Sequence, residues 1–194
     1  GRTRASTTQQ SYAGNFPRDW IPAALLAGND SPALAASLTS GQQLLSAETL
    51  RGLQDAAVDR FEEAGLSETE LDSLRSVEIQ VQDLPDGYLG LATDDAIIID
   101  IDASGVGWFI DDTPRDDFEF AMLEQSVAAR ARSRFDLLTV IAHELGHYAG
   151  LSHDDVGLMS ERLNPGERRL SPAVDIDDQF AAFAGLDDLL GFAS

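Results

Sequence analysis

The chain has only three histidines, and all three stand in one stretch: His143-Glu144-Leu145-Gly146-His147-Tyr148-Ala149-Gly150-Leu151-Ser152-His153. On a helix, His143 and His147 point the same way and lie about 6 Å apart along the axis, so two imidazoles can grip one metal ion. Glu144 is turned about 100° from His143. That suits a general base that takes a proton from a water beside the metal. A continuous helix would carry His153 about 15 Å up the axis from His143, too far for metal–nitrogen bonds of about 2 Å. The chain must therefore turn back after His147, and Gly150 stands where a left-handed helix end is needed. Three protein nitrogens leave a fourth position open, the mark of a catalytic rather than a closed structural zinc site.

Elements that position this stretch can be read from spacing. Asp136 can cap a helix whose first turns are Leu137, Leu138, Val140 and Ile141. Ser46 to Ala64 reads as an amphipathic helix with Leu50, Leu53, Ala57 and Phe61 on one face, ended by Gly65. Ser67 and Glu70 have capping-box spacing at the head of a short helix running to Leu74. Val77, Ile79 and Val81 alternate with polar residues as in a half-buried strand. Pro85-Asp86-Gly87 is a turn. Tyr88 to Ala92 and Ala96 to Ile101 read as further strands about a turn at Asp94-Asp95. Phe118 to Arg134 has helical composition. Asn164-Pro165-Gly166 marks a loop, and Ser171-Pro172 opens a helix to about Phe183. Leu186 to Phe192 is apolar but broken by Gly191.

The extended spacing, HExxHxxGxxH, is the zinc signature of the metzincin metallopeptidases. With Asp154 added, HELGHYAGLSHD resembles the matrixin and adamalysin branches, in a secreted bacterial form, more than the astacins or serralysins. The resemblance implies an α/β (α+β) zincin fold: a twisted mixed sheet of four or five strands, an active-site helix and a small C-terminal helical part. It implies zinc held by His143, His147 and His153, with Glu144 as the catalytic base. Met159, in Val156-Gly157-Leu158-Met159-Ser160, is the candidate for the methionine turn beneath the metal. Glu161 departs from the pattern, because astacins and serralysins carry a tyrosine there, so no tyrosine ligand is expected. Asp154 is expected to orient a group beside the metal ligands. A peptide substrate is expected to bind as an extended strand along a sheet edge within residues 88–101. The region after the methionine turn would wall the pocket for the residue following the scissile bond. Gly107 to Asp111 faintly resembles a matrixin segment near a second, structural zinc, but no histidines remain to bind one.

Composition sets bounds on partners and organisation. Net charge is −21, with no lysine and thirteen arginines, which argues against nucleic acid as a partner. The acidity has two readings, a solvated acidic surface or calcium binding. Asp100, Asp102, Ser104 and Asp111 have the ligand spacing of an EF-hand loop, but a strand rather than a helix precedes them. No apolar run approaches the roughly 20 residues of a membrane span. There is no cysteine, so disulfides and a cysteine-based latency switch are excluded. Secretion and a monomer are expected, the former from the resemblance alone. Gly1 is not an initiator methionine, so a processed or excised fragment is expected. Residues 1–40, with Pro17, Pro22 and Pro32, read as an N-terminal extension, linker or pro-segment, and residues 41–194 as the catalytic domain. Aspartates hold some metzincins latent by ligating the zinc, a role open to Asp19 or Asp30. Two rival readings stay open: a non-catalytic, zinc-stabilised secreted binding or adhesion module, and a peptidase held latent by its N-terminal segment.

Overall fold

A computed structural model describes residues 24–28, 45–121 and 126–170. The described part is a mixed α/β arrangement, with two helices packed together over one face of a small sheet. Helix α1 (Ala47–Glu63) starts at Ser46, whose hydroxyl accepts the Thr49 N–H. Its buried side includes Leu50, Leu53, Ala57 and Phe61, the predicted apolar face, and Gly65 takes a φ of +100° just beyond its end. Helix α2 (Glu68–Ser76) opens with the expected capping box, the Glu70 carboxylate accepting both the N–H and the hydroxyl of Ser67.

Strands β2 (Glu78–Gln82), β3 (Gly90–Ala92) and β4 (Ala96–Asp100) form one sheet in the order β2-β4-β3. The β2–β4 pair is parallel, with Ile79 facing Ile97, while β3 runs antiparallel, with Leu91 facing Ile98. Within residues 88–101, β3 is the strand that lies at an edge of this sheet. Ile97, Ile99, Leu89, Phe61, Phe135 and Leu138 are fully buried between sheet and helices.

The sheet is smaller than the four or five strands expected: among the described residues it has three. After β4 the chain turns through Ala103, Ser104, Gly105 and Gly107, all at positive φ. Only Trp108–Phe109 (β5) is then extended, paired in parallel with β6 (Phe135–Asp136) outside the main sheet. Residues 118–134, read as helical, hold α3 (Phe118–Ala121) and α4 (Ser126–Arg132). Helix α5 (Leu137–Tyr148) follows, capped at Asp136, whose carboxylate accepts the Thr139 N–H at 3.1 Å. Residues 24–28, from the expected N-terminal extension, pair into the body: β1 (Leu26–Ala27) lies parallel to β7 (Arg162–Leu163). The helix expected from Ser171, the apolar stretch 186–192, and Asp19 and Asp30 lie outside the described residues.

Candidate metal centre

Helix α5 carries His143 and Glu144, both fully buried, and the half-buried His147. The turn required by the spacing is present. Gly150 has a φ of +87°, and the N–H groups of Gly150 and Leu151 donate back to the carbonyls of His147 and Gly146. That reversal returns His153 to the other two histidines. Nε2 of His147 lies 3.1 Å from Nε2 of His143 and 3.2 Å from Nε2 of His153. Among the described residues these three form the one group of histidines and carboxylates placed to hold a metal ion.

The chemistry of these nitrogens fits a cation. Nδ1 of His143 lies 2.8 Å from the Leu158 carbonyl oxygen, and Nδ1 of His147 lies 3.0 Å from that of Leu151. A carbonyl only accepts, so in each neutral ring the proton sits on Nδ1 and the Nε2 lone pair is free. Nδ1 of His153 faces the Glu161 carboxylate at 3.5 Å, which sets the same tautomer. Three lone pairs thus converge on one point, a repulsive arrangement unless a positive charge fills it. Four ligands about 2.0 Å from a tetrahedral zinc stand about 3.3 Å apart, close to the spacing found.

Burial pushes the His143 imidazole down to about 3 and that of His147 down to about 4, so both are neutral and able to ligate. Burial pushes the Glu144 carboxyl up to about 8, against the N–H groups of Leu25 and Ala92, which pull it down. Oε1 accepts the Leu25 N–H at 3.0 Å, while Oε2 is buried with no hydrogen-bond partner. Such an orphaned oxygen is costly unless a small polar group meets it.

Met159 is fully buried directly beneath the helix. A Cβ on Gly146 would fall 2.5 Å from its Sδ, so the glycine between the histidines is what admits the methionine. Gly90 does the same for Glu144, since a Cβ there would meet its Oε1 and Val140 Cγ1 at 2.8 Å. The Tyr148 hydroxyl, at the end of α5, donates to the Thr93 carbonyl and ties the helix to the β3–β4 turn.

No family model, curated protein or solved structure matches the chain.

Two sets of residues singled out in the sequence have other partners in the structure. The Asp154 side chain is exposed and accepts the Asp155 N–H at 2.6 Å, a bond that shapes its own turn. Glu161 stands beside His153 instead. The one sequence signal for it was its place two residues after Met159, the position of a tyrosine in astacins and serralysins. Among the described residues Asp100, Asp102 and Asp111 do not form a group of three carboxylates close enough to share a metal ion. Asp100 spends its oxygens on the N–H groups of Leu84, Asp102 and Ser104, and Asp102 accepts from Gly105 N–H. Ser104 Oγ accepts from Gly87 N–H. These bonds hold the left-handed turn. Asp111 pairs at 2.7 Å with Arg168, which also reaches Asp136 at 2.9 Å. This buried cluster anchors the N-terminal end of α5 to the segment after β7, and nothing in the spacing of Arg168 announced it.

Proposed function

We propose that the chain is a zinc-dependent endopeptidase of the metzincin kind, nearest the matrixin and adamalysin branches and secreted. The observation that carries this is the convergence of three imidazole Nε2 atoms beside a buried carboxylate with an unpartnered oxygen. Support for the family reading comes from the antiparallel edge strand β3, the chain reversal at Gly150, and Met159 beneath Gly146. Secretion rests on the motif alone.

Zinc held by His143, His147 and His153 would supply Lewis-acid polarisation of a peptide carbonyl and lower the pKa of a bound water toward about 7. Glu144 takes a proton from the attacking water and returns it to the departing amine nitrogen. Its raised affinity for protons in the buried state suits the delivery step, and a nearby cation would favour the ionised form for the first step. The backbone edge ahead of β3 and the segment at residues 161–163 offer hydrogen-bonding groups to an extended peptide. A binding module that used zinc only for stability would have no use for Glu144, a buried carboxyl with an orphaned oxygen that costs stability.

The test is cleavage of an unfolded protein such as casein by the zinc-loaded chain and by Glu144→Gln, with zinc content confirmed in both. The expected result is cleavage by the parent and a loss of about 10²–10⁴-fold in the variant. A zinc-loaded parent that cuts nothing, or a variant that cuts as well as the parent, would overturn the proposal.

A further inference from the structure

The backbone of residues 24–28 lies between the two surfaces just assigned to a substrate. On one side it runs antiparallel to the chain ahead of β3. Leu89 N–H donates to the Leu25 carbonyl at 2.9 Å, Ala27 N–H donates to that of Gly87 at 2.8 Å, and Leu26 faces Tyr88. On the other side it runs parallel to β7. Leu26 N–H donates to the Glu161 carbonyl at 2.8 Å and Gly28 N–H to that of Leu163 at 2.7 Å. The Leu25 side chain is 1% exposed and joins the hydrophobic core, as a residue seated in a deep pocket would. Leu25 N–H, in turn, donates to Glu144 Oε1 across 119 positions of sequence.

Peptide hydrolysis by a carboxylate base has a geometric requirement. The acid that receives the water's proton must reach the nitrogen that leaves. Within residues 24–28, the nitrogen bonded to Glu144 is that of Leu25, so the bond on its acyl side is Ala24–Leu25. Ala92, whose N–H also pulls on Glu144, sits inside β3 opposite Ile97 and has a strand to belong to.

We propose that the first substrate of this cleft is the chain itself: residues 24–28 are bound intramolecularly in the polarity and register of a peptide to be cut, with Ala24–Leu25 as the scissile bond. This rests on the peptidase reading and names its substrate. Water adds its oxygen to the Ala24 carbonyl carbon, the carbon–nitrogen bond breaks, and the electron pair stays on nitrogen. Glu144 passes the water's proton to that nitrogen. The products are a carboxylate on Ala24 and an amine on Leu25. Residues from Leu25 onward stay tethered in the cleft, where their high effective concentration makes them a competitor for added substrates.

Two measurements test this. Amide exchange in zinc-loaded Glu144→Gln reads occupancy without turnover. The N–H groups of Leu26, Ala27 and Gly28 should exchange at least about 100-fold more slowly than in an unstructured chain, and unprotected amides would overturn the proposal. The parent, prepared without metal, is then given zinc and followed by intact mass and N-terminal sequencing at two well-separated protein concentrations, with casein cleavage followed in parallel. A new N-terminus at Leu25, formed with the same half-time at both concentrations, is expected. Casein cleaved while Ala24–Leu25 stays intact would overturn the self-cleavage and leave the peptidase reading standing. A rate that rises with protein concentration would overturn its intramolecular character. If neither casein nor the chain's own bond is cut, the peptidase reading falls and this inference with it.

Discussion

In the proposed reaction Glu144 is the residue on which the chemistry turns, and its burial makes a prediction independent of turnover. Its carboxyl is raised to about 8 in the folded chain from an ordinary value of 4.5. The folded state therefore binds the proton more tightly, and the stability this contributes is full below about pH 4.5 and is lost as pH rises through about 8. In the metal-free chain, Glu144→Gln should raise the denaturant midpoint relative to the parent at about pH 8 more than at about pH 5, by at most about 5 kcal/mol. Equal differences at the two pH values would contradict the burial argument. His143 and His147 act in the opposite sense. Their folded values are lowered, so the unfolded chain binds more protons below about 6.5, and stability is lost as pH falls from there toward about 4. Gly90 gives a second test at this scale. Gly90→Ala drives a methyl against Glu144 and Val140. It should lower turnover by about tenfold or more while zinc content is unchanged, because displacing a catalytic group by a fraction of an ångström is costly. Wild-type turnover in that variant would show that the close approach does not matter.

At the scale of elements, α5 is held at both ends and beneath. Asp136 caps it, Arg168 pairs with Asp136 and Asp111, Met159 fills the space under Gly146, and Tyr148 reaches Thr93. Arg168→Met leaves two aspartates, with side chains 0% and 1% exposed, without their cation. Breaking a buried pair in this way costs about 3–5 kcal/mol, readable from the urea midpoint. A cost under about 1 kcal/mol would contradict the anchoring role. The helices were legible in the sequence because their signals are local: the Leu50–Phe61 face, the Ser67–Glu70 box, the Asp136 cap, and the glycines at 65 and 150. Strands β2, β3 and β4 were legible from alternation and β-branched runs. Arg168 was not, since its partners Asp111 and Asp136 are brought to it only by tertiary folding.

Across the whole molecule, the same division holds between what spacing carries and what only folding assembles. The histidine trio was readable because its ligands lie close in sequence and the helix repeat fixes two of them. The acidic loop at residues 100–105 kept two readings in the sequence because an aspartate that caps backbone amides and one that ligates a cation have the same spacing. The apolar Leu25 and Leu26 suit packing onto the main domain, but their place across the cleft had no sequence signal. A short Ala-Leu-Leu-Ala-Gly segment says nothing of partners near residues 87–89 and 161–163. Among the described residues the main sheet has three strands, and the chain's own early residues pair with the backbone at residues 87–89, just ahead of β3.

The central claim is that three imidazoles hold one metal ion in an open site. X-ray absorption on the zinc-loaded Glu144→Gln chain, beside the same chain carrying His153→Ala, measures that shell directly. The expected shell is four light-atom ligands at about 2.0–2.1 Å with the scattering of three imidazole rings, falling to two rings when His153 is replaced. A shell of carboxylate oxygens without imidazole scattering, or one unchanged by loss of His153, would contradict it.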